Sequence, residues 1–84
     1  MNYFIIEHAL AEIERRQIRI EDIDQIMNYP QQVIIVSQFR KIHQSIIEIN
    51  GKSYLLRLVI DLGNPNELVT VYRTSKIKKY WREL

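Results

Sequence analysis

The chain predicts an α+β fold in which two N-terminal helices pack on one face of a four-stranded antiparallel sheet. Three observations carry that reading. Before Pro30, apolar residues recur at helical spacing, as Ile6, Ala9, Leu10 and Ile13, and again as Ile20, Ile23, Ile26 and Met27. The pair Asn50-Gly51 then separates two β-rich runs, Arg40–Ile49 and Lys52–Asp61. A last alternating run, Glu67–Thr74, follows a loop of turn formers, Leu62-Gly63-Asn64-Pro65-Asn66.

The first helix is expected over Phe4–Arg16. It ends where Gln17–Arg19 break the period. The second starts at Arg19-Ile20, with Glu21 and Asp22 suited to the positive end of the helix dipole. It stops before Pro30, because the residue preceding proline avoids the helical region. Gln32–Ser37 contains Val-Ile-Ile-Val and reads as a short strand. Asn-Gly favours a type I′ turn, whose two central residues need φ > 0. A two-residue loop there sets Ile49 opposite Lys52, Ile47 opposite Tyr54, His43 opposite Leu58 and Gln44 opposite Arg57. One face then carries Ile47, Ile49, Tyr54, Leu56, Leu58 and Ile60 as core. The other is mixed, with Arg57 among Ile46, Leu55 and Val59. In the last strand Val69, Val71 and Arg73 are expected to face the helices, leaving Thr70 and Tyr72 on the same face as Arg57. Residues 75–84 form a basic tail, with Ile77, Tyr80 and Trp81 available to dock it.

Eighty-four residues make one domain, 1–84, near the lower size limit for a self-sufficient core. There is no cysteine, which excludes disulfides and thiolate metal sites and fits a cytoplasmic protein. No apolar run approaches the roughly 20 residues of a membrane span. The net charge of +2 is unevenly placed. Residues 1–30 hold three basic groups against six acids, and residues 31–84 hold nine against four. Arg73, Lys76, Lys78, Lys79 and Arg82 concentrate the positive charge at the end, which suits an anionic partner such as RNA or serves only as a solvated surface.

The residues offer little conventional catalytic equipment. The histidines are His8 and His43, and there is no metal-binding spacing, phosphate loop or nucleophile elbow. No cofactor is implied. What remains is a set of Arg, Tyr and His. RNA cleavage through the 2′-hydroxyl needs a base, an acid and a cation on the phosphate, and no metal. Arginine meets the phosphate with its planar fork, and histidine or tyrosine moves protons. Arg57 and Tyr72 fit that outline, although Arg57 can equally pair with Glu48 or Asp61 on its own face.

The motifs His8-Ala9, Arg16-Gln17-Ile18, Glu21-Asp22 and Pro30, then Arg40, the hairpin segment Gly51 to Leu56 and Val69–Arg73, resemble a small bacterial family. That family is similar to RelE- and BrnT-like toxins, grouped with metal-independent ribonucleases of the barnase, EndoU and colicin class. The resemblance implies a RelE/barnase-like architecture and an endoribonuclease of a toxin–antitoxin pair, with RNA as substrate and an antitoxin protein as partner. It implies His8, Arg16 and Tyr72 as catalytic positions. Arg57 joins them from the sheet pattern, and Arg40, Arg73, Lys76, Lys78 and Lys79 are expected on RNA. Glu12 stands where many relatives carry arginine, and Gln17 where they carry glycine. The loss of a cation at position 12 favours the alternative, a non-catalytic RNA- or protein-binding module of the same fold.

Overall fold

The structure is a computed structural model that describes residues 2–83. Its elements run β1 (Tyr3–Ile5), α1 (Glu7–Arg15), α2 (Ile20–Asn28), β2 (Gln32–Ser37), β3 (Arg40–Ile49), β4 (Lys52–Asp61), β5 (Asn66–Thr74) and α3 (Ile77–Tyr80). The strands form one sheet in the order β1-β5-β4-β3-β2. The fold is α+β as expected, but the sheet has five strands and is mixed, because β1 runs parallel to β5.

The added strand corrects the helix expected from Phe4. Tyr3, Phe4 and Ile5 are strong β formers, and they find the open edge of β5, where Tyr3 faces Asn66 and Ile5 faces Leu68. The helix begins only at Glu7, after Ile6 has donated its N–H to the Leu68 carbonyl. Its far end is a Schellman motif. The Ile18 N–H reaches the Ile13 carbonyl at 2.9 Å and the Gln17 N–H reaches that of Glu14 at 3.2 Å. Gln17 takes the left-handed position that favours glycine, at φ 53°. Ile13 and Ile18, which flank the motif, are both buried in the core.

The β3–β4 hairpin has the expected register throughout. Asn50 and Gly51 lie at φ 52° and 79°, and Ile49 pairs with Lys52, Gln44 with Arg57 and His43 with Leu58. Leu56, Leu58 and Ile60 turn towards the helices and pack with Ile13, Ile18, Ile23 and Ile26. β5 departs from simple alternation. A bulge beside Val59 and Ile60 brings Leu68 opposite Ile60, so Leu68 enters the core in place of Val69, while Val71 keeps its expected place. Thr70 and Tyr72 lie on the opposite face, across from Val59 and Arg57. That face is sealed by the tail: its Tyr80 stands over Arg57, and Leu55 and Arg57 are both buried. No helix among the described residues is long and apolar enough to cross a membrane.

Candidate nucleic-acid interface

The residues singled out from sequence fall on two sides of the sheet. Arg57 and Tyr72 meet on the tail side. Arg57 is 8% exposed, and its Nε donates to Gln44 Oε1 at 2.9 Å. Its Nη1 donates to the Tyr72 hydroxyl. The guanidinium stacks 4.3 Å from the Tyr80 ring centroid and 5.4 Å from that of Tyr72. Gln44 also donates to Gln32 Oε1 at 2.8 Å and to the Tyr80 carbonyl at 3.1 Å, and Gln32 in turn holds the backbone of Arg82. Neither Glu48 nor Asp61 supplies the ion pair weighed for Arg57. Its hydrogen bonds go to neutral groups, which are joined to the tail.

Asp61 is engaged elsewhere. It faces Arg40 in register and accepts from its Nε at 2.6 Å and its Nη2 at 3.1 Å. The pair lowers the Asp61 carboxyl below its ordinary range through those hydrogen bonds, and it occupies the fork of Arg40.

On the other side, the turn between α1 and α2 overhangs the Asn50-Gly51 end of the hairpin and encloses a cleft of 640 Å³. Arg16 and Arg19 line it from above, and Tyr54 and Arg73 from the sheet. The Lys52 ammonium lies 5.4 Å from the Tyr54 ring centroid and the Arg73 guanidinium 5.5 Å, so one aromatic ring carries two cations. Arg73 makes no ion pair among the described residues. Arg16 Nε shares a Glu12 oxygen with Arg15, at 3.0 Å and 2.6 Å, and the hydrogen bonds from Arg15 first and Arg16 second lower the Glu12 carboxyl below its usual range. Arg19 makes an exposed pair with Glu21. Asp22 and Glu48 are the acids of the lining.

His8 is exposed on the first turn of α1 and lines none of these surfaces. Lys76 and Lys78 are exposed in the tail, and Lys79 lies 5.3 Å from the Tyr80 ring centroid. The sequence therefore placed Arg57 with Tyr72, and the structure keeps them together. It does not bring His8 or Arg16 to them, since Arg16 opens on the helix side.

Tyr54, Lys52 and Arg19 were not singled out from sequence. The register already placed Tyr54 on the face that alternation gave to Arg73. What it lacked was the packing angle that swings the Arg16–Arg19 turn over them. The remaining histidine is structural. His43 Nδ1 donates to the Ile26 carbonyl at 3.0 Å, Nε2 is buried without a partner, and burial lowers its pKa. No family model matches the chain, and no curated protein or solved structure proves similar to it.

Proposed function

We propose that this domain binds single-stranded RNA in the cleft between the α1–α2 turn and the β3–β4 hairpin. The observation that supports it is the Tyr54 ring beside Arg73 in the cleft lining, with Arg16 and Arg19 in the same lining and Lys52 near the ring at its margin. Single strands are held by cations that follow the phosphates and by aromatic faces on which bases stack. The same cleft offers Asp22, Glu48 and Tyr54 as its groups able to exchange protons apart from the cations, and no histidine among the described residues. Binding, as by a non-catalytic module of a ribonuclease-toxin-like fold, is the reading that the cations and the Tyr54 ring support. An antitoxin-type protein that blocked it would lay acidic side chains over Arg16, Arg19 and Arg73.

Metal-independent cleavage is the second reading, and the Arg57–Tyr72 contact favours it. That pair lies beneath Tyr80, so the tail must lift before a phosphate can reach it. Fluorescence anisotropy with a labelled 12-nucleotide RNA tests the first reading. Arg73→Gln is expected to weaken binding and to flatten the log–log salt slope by about 0.7, one single-strand phosphate contact. Lys76→Gln/Lys78→Gln/Lys79→Gln is expected to leave most of the affinity in place. Loss of binding in the triple variant alone would move the site to the tail. Cleavage of the same RNA by the wild-type chain with a chelator present would establish the second reading.

A further inference from the structure

The two edges of the sheet are unequal. β1 is three residues long and runs directly into α1. β2 is six residues long and leaves one whole side of its backbone without a strand. Its side chains are apolar and open to solvent: Ile35 is 70% exposed and Phe39, just beyond, 67%, with Val33 and Val36 close to half. Such an edge is normally blunted by lysine, by proline or by brevity. Here Pro30 to Phe39 contains no charged residue, in a chain of which 26% is charged. The protective device is a bulge at Val36, between Ile35 and Ser37, which ends regular pairing there and leaves Gln32–Ile35 in register with β3.

We propose that β2 pairs antiparallel with β2 of a second copy of this chain, making one ten-stranded sheet across a two-fold axis. The absence of charge selects this occupant. A partner chosen by electrostatic complementarity finds nothing to match in Pro30–Phe39, whereas an identical strand brings no like charge opposite another. A two-fold axis normal to the sheet keeps each face continuous, so paired residues must share a face. An axis through Ile34 meets that condition, and its central pairs are apolar. Ile34 meets the partner's Ile34 on the tail face, and Val33 meets the partner's Ile35 on the helix face, twice over. β-branched pairs of this kind are the stabilising unit of an antiparallel ladder. Beyond these pairs, Gln32 reaches the partner's bulge at Val36. Like charge is kept away from the seam. The cation nearest the helix-face row is Lys41, which pairs with Ile35 one strand inwards and is followed across the axis by the partner's Val33 and His43.

Sedimentation velocity across a hundredfold range of concentration tests the proposal. The wild-type chain is expected to shift from 10.2 kDa to twice that mass. Val33→Lys and Ile35→Lys should each be monomeric throughout and fold normally, since both side chains are solvent-facing. Val33→Lys/Ile35→Glu, which sets opposite charges across the axis, should restore the dimer. A wild-type chain that stays monomeric at every concentration would overturn the proposal. So would a dimer that survives both single variants, or a monomer that pairs only with an unrelated protein. Single variants that dissociate without rescue in the double variant would overturn the register through Ile34.

Discussion

Replacing Arg57 with lysine separates a catalytic arginine from a structural one. Lysine keeps the charge and loses the fork. In the wild-type chain that fork makes two hydrogen bonds, to Gln44 and Tyr72, and stacks on Tyr80. Hydrogen bonds from a charged donor contribute about 1.5–3 kcal/mol each. A desolvated cation–π contact contributes up to about 2 kcal/mol. Lysine can recover one hydrogen bond and part of the ring contact, so the net loss is about 2–3 kcal/mol. For a domain of this size that lowers Tm by about 10–20 °C. Trp81, the single tryptophan, lies in the tail next to Tyr80 and reports on its docking. In Arg57→Lys its emission should shift to the red at a lower urea concentration than the loss of sheet signal by circular dichroism. RNA affinity should be unchanged, because the cleft lies on the other side of the sheet. Normal melting together with at least about tenfold slower RNA cleavage would instead give Arg57 a catalytic role, since a tenfold rate loss is about 1.4 kcal/mol of transition-state stabilisation.

Three further outcomes follow from local geometry. Gly51→Val should cost about 1–2 kcal/mol in urea melts, all of it backbone strain at φ +79°, because a Cβ there meets nothing within 4 Å; an unchanged midpoint would contradict the type I′ turn. Gln17→Gly should raise Tm by several degrees, since relieving left-handed strain of about 1–2 kcal/mol outweighs the roughly 0.5–1 kcal/mol entropic cost of glycine. For His43, burial depresses the folded-state pKa, so the unfolded chain binds the proton more readily. Stability should be fully present above pH about 6.5 and decline as pH falls below it, before the carboxylates titrate. Urea midpoints measured from pH 8 to pH 5 should show that decline, and His43→Gln should flatten it.

What could be read from the residues was what short-range rules determine. Asn50-Gly51 specified the turn, and the turn specified every pair from Ile49–Lys52 to Arg40–Asp61. The burial of Leu56, Leu58 and Ile60 followed from that register. Two features rest on long-range partners and were not legible. Tyr3–Ile5 becomes a strand only because β5 offers an edge more than sixty residues away. Leu68 replaces Val69 in the core because of a bulge, which shifts the phase of a period-2 pattern without a signature in the residues themselves. The site divides in the same way. Alternation put Arg57 and Tyr72 on one face, and the β4–β5 register makes them a pair. Arg16 and Tyr54 meet across a cleft whose shape depends on how α1 and α2 sit on the sheet. Gln17 at a left-handed position is the residue that sets the turn above that cleft.

Amide chemical-shift mapping locates the RNA on the protein. Isotope-labelled protein is titrated with a short single-stranded RNA at low salt. Binding in the cleft should perturb Arg16–Arg19, Tyr54 and Arg73, with little change at Arg57, Tyr72 or the Lys76–Arg82 tail. Shifts confined to Arg57, Tyr72 and the tail, or the absence of any shift, would contradict it.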